Sequence, residues 1–586
     1  MDKTVRQLTI FSAAVAALLL LHACGDGTST EPENDSGVVD ITFVPASVDL
    51  GEEREASVVL ENRGTRAAGP IQLLAGPVTR GGSPVSEAQL QVIPGEIPTL
   101  NPGSSRALSL SLVFSGSPPP GAYQSSLEAR LDGEPVGALG ISFSIASPPP
   151  AGAGHTVSIT AGPASPRQGD VVTYQAETRD STGALVTDTS LGWSVSPATA
   201  GLLTGDGRFI GYTPGGAKII ANASGVADTL DISISARGLN GSFSVVGTGT
   251  VSTRFTSDVW VHGDYAYTGT WSCRSGNCGD RLHVWDVSDP ASPAPTDTVV
   301  VDARVVNDVK IRADGAIGVI THEASNDGRN GVTLLDLSDP AHPTIISRFT
   351  SGLESGVHNV WIEGDFVFVV VDGAGDGMRV LDISSPGSPT EVASYYAGSS
   401  ILHDVYVRDG LAFLSHWDAG LIILDVGNGV AGGSPANPVE VSRIQTAGGE
   451  THNAWYWPAA GYVFVGEEDF GTPGIMHVVD VSDLSNPKEV ATFSLPGATP
   501  HNFWLDENRG ILYAAWYEKG LRAIDVSGVL LGALDRQGRE IASIQYGSGS
   551  GCASGSATCT WAPQLHNGLV YASDLNSGLW VLQPDF

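Results

Sequence analysis

Apolar residues fall in short runs separated by polar and glycine-rich turns, and beyond about residue 240 they recur as a phrase. A run of four mostly apolar residues closes on Asp, and the fullest copies, 282–290 and 332–340, add an apolar residue and Ser-Asp-Pro. Shorter copies stand at 378–382, 421–425, 476–480 and 521–525, with a degenerate one at 579–583. A phrase returning about every 45–55 residues marks a modular array in which no unit buries its apolar surface alone.

Each unit reads as strands. Ahead of every phrase lies a hairpin signal whose turn glycine recurs as Gly263, Gly315, Gly364, Gly410, Gly461, Gly510 and Gly568. β-Branched and aromatic runs flank it, short enough for strands and too short for helices. After the phrase come a proline turn and a fourth apolar run, such as 345–349. Four antiparallel strands repeated radially predict a β-propeller, and seven copies predict seven blades. The last copy ends without a fourth strand, so the run 242–246 is expected to supply it from ahead of the first copy and to remove an open edge. The phrase, written Leu-His-Val-Trp-Asp-Val-Ser-Asp-Pro at 282–290, resembles the LVIVD-repeat family. That resemblance implies a propeller of an extracytoplasmic bacterial or archaeal protein and brings no established chemistry.

Upstream, Lys3 and Arg6 precede an apolar stretch over 8–21 and then Leu21, His22, Ala23 and Cys24, a secretory pattern too short for a comfortable membrane span. Its ending resembles a bacterial lipoprotein signal, which implies lipidation at Cys24. Gly25 after the cysteine favours the outer membrane or cell surface, with a periplasmic-facing position as the alternative. The expected order is signal peptide 1–23, disordered tether 24–37, Ig-like β-sandwich 38–146, proline-rich linker 147–153, bacterial Ig-like domain 154–237 and propeller 240–586. The first sandwich resembles adhesion-type Ig-like domains. The second, with Trp193 as a core candidate, resembles the bacterial Ig-like group 2 family. Both read as spacers, and the fold class is all-β throughout.

Five cysteines leave four after lipidation, and the local pairs Cys273–Cys278 and Cys552–Cys559 are favoured because small polar residues let each bracket turn back. Disulfides fit an oxidising compartment. A net charge of −33 excludes nucleic acid as a partner, since a duplex demands a basic face. The expected partners are an extracellular protein, peptide or carbohydrate, with the membrane touched only through the lipid.

Chemistry belongs at the propeller mouth, where the innermost strands begin. The residues there include His358, His403, His452 and His501 on four successive copies. Repeated residues of this kind can simply hydrogen-bond strand ends, as the histidine of WD repeats does. Neutral imidazoles gathered at one level also suit a transition metal such as Cu, Zn or Fe. His416 and Glu467 complete the leading candidate set. His322, Glu323, Asp372, Glu468 and Asp574 stand at nearly the same height, and Trp271, Trp417, Trp516 and Tyr517 are candidates for an aromatic platform. Trp260, Trp361, Tyr406, Trp455 and Trp504 share one position on the innermost strands and are expected between blades. The leading reading is a surface-anchored binding protein displaying a propeller face. The alternative is a metal-dependent oxidoreductase or hydrolase, similar in the placing of its histidines to selenium-binding proteins of the methanethiol oxidase type. No Gly-x-Ser-x-Gly elbow or free-thiol setting offers a nucleophile, so catalytic residues are not assigned.

Overall fold

A computed structural model describes residues 38–586 apart from 51–53, 87, 98, 115–118, 132, 146–154, 188–190, 224, 374–375, 399–400, 447, 470–473, 548–551 and 553–556. The expected signal peptide, Cys24, tether and linker lie outside the described residues. Among the described residues, strands are relieved only by two short helical turns, Ala198–Ala200 and Leu534–Arg536, and no helix is long and apolar enough to cross a membrane.

The first unit is a pair of facing sheets. One runs Ile41–Val44, Glu55–Asn62, Ser105–Phe114, Ala88–Ile93, and the other is built on Glu134–Ile145 and Gly121–Leu131. Alternation along Gly121–Leu131 turns Tyr123, Leu127 and Ala129 inward, where they meet Phe43, Leu60, Leu108 and Phe143. Tyr123 stacks on Phe143 at 4.6 Å between centroids. Burial of side chains of this size contributes about 1.5–3 kcal/mol each. The second unit has three small sheets around Tyr174, Phe209 and Ile219, with Trp193 half-buried between its two apolar clusters.

Among the described residues the repeat region forms seven sheets that each contain four antiparallel strands, besides a small hairpin of Cys273–Arg274 with Asn277–Cys278. All seven hairpin glycines take positive φ, from 57° to 80°, which a residue with a Cβ adopts only at a cost. The Asp that closes the phrase ends its strand. Asp286, Asp336, Asp382 and Asp480 each accept the N–H two residues on, at 2.9, 2.8, 2.8 and 2.9 Å, an Asx turn that competes with further pairing. In the fourth copy a glycine-rich loop replaces Ser-Asp-Pro. There, against the cost of burial, Asp425 gathers the N–H groups of Gly427, Ala431, Gly429 and Gly433, which hold its carboxyl well below the usual range.

Ser242–Thr250 pairs antiparallel with Gly578–Asp585, placing Val245 opposite Leu582, so the last sheet takes its outer strand from ahead of the first. The first and last sheets also meet at their inner strands. Gln564 accepts the Val261 N–H at 2.6 Å and donates to the Val261 carbonyl at 2.9 Å. A Cβ on Gly249 would lie 2.8 Å from the Trp285 ring, so the closing strand needs that glycine to pass.

The two N-terminal units, expected as spacers, contact the repeat region. Arg237 reaches Asp525 with Nε at 2.8 Å, and Arg539 Nη2 donates to the Gly169 carbonyl at 2.6 Å. The sixth copy carries an insertion here, whose segment Gly532–Ala533 pairs parallel with Lys488–Ser494 as a fifth strand. The first sandwich docks elsewhere, with Arg106 Nη2 3.5 Å from Asp469 and both side chains buried.

Candidate functional site

Pairing between first and second strands slips at the mouth end of several copies. The register shifts across Val357/Val360, Leu402/Asp404 and Thr451/Asn453, leaving His358, His403 and His452 in bulges. A bulge re-aims its extra side chain. The result is a row of imidazoles. Centroids lie 4.4 Å apart for His358 and His403, 4.3 Å for His403 and His452, and 4.4 Å for His452 and His501, with Trp561 4.3 Å beyond.

The residue after each histidine does much of the stapling between sheets. Asn359 Nδ2 donates to the His403 carbonyl at 3.0 Å and Asn453 Nδ2 to the His501 carbonyl at 2.9 Å. His403 and His501 share that task through Nδ1, bonded to the carbonyls of His452 at 3.2 Å and Trp561 at 2.6 Å. Donation from Nδ1 leaves Nε2 as a free lone pair.

Burial, then the charge of the neighbouring imidazoles, holds His403 and His452 well below the ordinary imidazole range. His501 falls to about 3, chiefly through burial. Three neutral rings therefore stand together at neutral pH. His358 differs: burial would lower it, but the charge and hydrogen bond of Glu323 at 2.8 Å, then Asp372 and Glu468, raise it to about 10. Burial lifts Glu468 to about 7, opposed by the Tyr517 hydroxyl that donates to its Oε1.

Among the described residues, two groups have the spacing to hold a cation: His403, His452 and Glu468, and Glu323, His358 and Asp372. Within the first, Glu468 Oε2 lies 3.9 Å from His403 Nε2 and 3.7 Å from His452 Nε2. In the second, Asp372 is 3.9 Å from His358 Nδ1.

Other candidates are elsewhere. Glu467 turns away from the mouth to His477 Nε2 at 2.7 Å, so its neighbour Glu468 takes the place expected of it. His416 leaves the histidine row and lines a separate cavity of about 390 Å³ with Ser105 of the first sandwich and Arg443. His322 is 1% exposed, with both ring nitrogens unpartnered among the described residues, and belongs to neither group. Asp574 is consumed by the N–H groups of Cys559, Asn576 and Ser577. The aromatic platform is divided: Trp516 is 0% exposed against Phe493, and Trp271 packs on Trp561 at 5.8 Å. Trp417 and Tyr517 stay by the row, 5.2 Å from His403 and 4.8 Å from His501.

Further along the inner strands the shared aromatics line a small cavity of about 60 Å³, and Trp361, Tyr406 and Trp455 also pack in the apolar clusters between neighbouring sheets, as expected of them. Trp361, Tyr406, Trp455 and Trp504 follow one another at 4.6 to 4.9 Å. Lys310 occupies the same position in its own sheet and pairs with Asp258 at 2.8 Å and with Asp308.

Sequence reasoning missed Arg106, which no repeat signal announces, and the role of Tyr517. Tyr517 has φ 38°, a conformation rare without glycine, in the turn that sends Trp516 inward and its own hydroxyl to Glu468.

Both disulfides, Cys273–Cys278 and Cys552–Cys559, are formed.

Residues 253–299, 326–351, 356–397, 401–446 and 461–494 match the LVIVD repeat. The chain carries LVIVD repeats. His358, His403 and Glu468 fall inside matched LVIVD stretches, whereas His452 and His501 fall between or beyond them. Among solved structures, the Cps50 (Swd1) beta-propeller domain of Myceliophteria thermophila is similar at 12% identity and a TM-score of 0.41, covering 58% of this chain and 99% of that one. No curated protein matches the chain.

Proposed function

We propose that this LVIVD-repeat protein is a lipid-anchored surface protein of a bacterium whose propeller binds a small ligand at its mouth. In this reading the seven sheets are the blades of a closed ring, the two N-terminal units are Ig-like modules packed beside it, and Cys24 carries the lipid that holds the protein at the outer membrane. The observation that carries it is the row of imidazoles delivered by four successive sheets to one level. Fold alone would not assign a site, but bulges that aim polar groups inward beside buried carboxylates support one.

The site favours a small ligand over the protein, peptide or carbohydrate expected from sequence. His452 is 2% exposed and the His403 and Glu468 side chains 13%, too recessed for a broad surface, and the buried Trp516 offers a sugar nothing to stack on. The two-histidine, one-carboxylate group supports the second reading, a metal-dependent oxidoreductase or hydrolase.

Native mass spectrometry of the full chain extracted from its own membranes tests the first reading. The expected result is a co-purifying mass that is lost in His452→Ala and kept in His322→Ala, with Cys24→Ala moving the protein to the soluble fraction. A mass retained by His452→Ala, or none at all, would remove the mouth as a binding face.

A further inference from the structure

Resting on the mouth as the binding face, we propose that His403, His452 and Glu468 hold one divalent transition-metal ion with a coordination position left for a ligand. The histidine donor atoms stand 3.9 and 3.7 Å from Glu468 Oε2, and all three ligand atoms lie within 4.8 Å of one another. Those separations are too long for hydrogen bonds. They need to contract by only about half an ångström to reach the ~3.3 Å between donors on a tetrahedral ion with bonds of about 2.0–2.1 Å. The neighbouring group gives the contrast. Glu323 and His358 are closed on each other at 2.8 Å, so a proton already links them.

Two of the three ligands have the supporting hydrogen bonds a metal ligand requires. His403 Nδ1 is bonded to the His452 carbonyl, which fixes the ring and turns its Nε2 lone pair toward the group. The Tyr517 hydroxyl occupies Glu468 Oε1 and leaves Oε2. His452 is 2% exposed and its Nε2 faces Glu468; its Nδ1 has no hydrogen-bond partner among the described residues, so the ring is held by packing between His403 and His501 at 4.3 and 4.4 Å.

Two imidazoles with one carboxylate suit zinc or iron, whereas calcium and magnesium favour all-oxygen shells. Three protein ligands are also the number found at catalytic zinc, where the fourth position takes water or substrate. Trp417 packs 5.2 Å from His403 and His501 4.4 Å from His452, at the edges of the group.

The test uses the detergent-extracted full chain, stripped with chelator and titrated with Zn(II), with elemental analysis for stoichiometry and Co(II) absorption for ligand geometry. One ion per chain is expected. Affinity should fall at least ~100-fold in His403→Ala, His452→Ala and Glu468→Gln, and about 10–100-fold in Tyr517→Phe, with no change in His416→Ala. Glu468→Gln is nearly isosteric, and its melting curve checks that the fold survives. Zinc held equally by the wild type and all three ligand variants overturns the proposal. A wild type that takes up no zinc but loses a co-purifying organic mass in His452→Ala also overturns it, while leaving the mouth as the binding face.

Discussion

Glu467 and Glu468 adjoin in sequence and serve different neighbourhoods, because successive side chains at a strand end point to opposite faces. Glu467 and Glu489 flank the buried His477 at 2.7 and 2.9 Å. Burial alone would lower that ring, but the two carboxylates outweigh it and raise it to about 10. A group raised in the folded state stabilises fully below its unfolded value of about 6.5, and the contribution fades as pH climbs toward 10. Thermal unfolding from about pH 6 to 10 should therefore show a decline that His477→Gln flattens, with His477→Gln about 3–5 kcal/mol less stable at the acidic end because the Glu467 carboxylate stays buried without a cation. Equal slopes for the two proteins would contradict this. The level of the histidines was legible from repeat position alone. Which glutamate joins them was not, since the choice depends on where the strand Tyr462–Glu467 stops pairing and the loop starting at Glu468 begins, a matter of a single residue of register.

At the scale of the strand, the pattern of phrase and turn glycine was enough to order the elements, because period-two alternation and positive-φ turns are local properties. The inner-strand aromatics were legible as packing between sheets, but the cavity they also line was not, because sequence gives the face a side chain occupies and not what space is left beside it. Bulges at His358, His403 and His452 were likewise invisible, since they depend on the partner strand. The closing strand Ser242–Thr250 offers a test at this scale. Gly249 passes the Trp285 ring with no room for a Cβ, so Gly249→Ala should cost about 1–3 kcal/mol in chemical denaturation. An unchanged midpoint would mean that Trp285 moves aside freely and that the strand is not tightly seated.

For the whole molecule, the docked modules change the picture most. Nothing in the sequence pairs Arg106 with Asp469 or Arg237 with Asp525 across such separations. Arg106 inserts among acids: beside Asp469 stands Glu450, whose carboxyl is lifted to about 8 by burial and then by the charge of Asp469, with Arg106 opposing. Removing one member of a buried pair costs about 3–5 kcal/mol. Arg106→Ala should therefore release the first sandwich, seen as faster hydrogen exchange around residues 103–106 and 445 with the repeat region otherwise unchanged. Exchange rates that stay at the wild-type level would show that the remaining contacts hold the module without the arginine.

The same contacts decide how the protein carries tension. A pull arriving along the N-terminal chain would, in a simple tether, run straight into Ser242–Thr250 and peel it from Gly578–Asp585, opening the last sheet. Arg237 and Gly169 are fastened to the sixth sheet through Asp525 and Arg539, so the force leaves the chain ahead of that strand and spreads into a neighbouring sheet. The seam is thereby shielded by a clamp a few residues upstream of it.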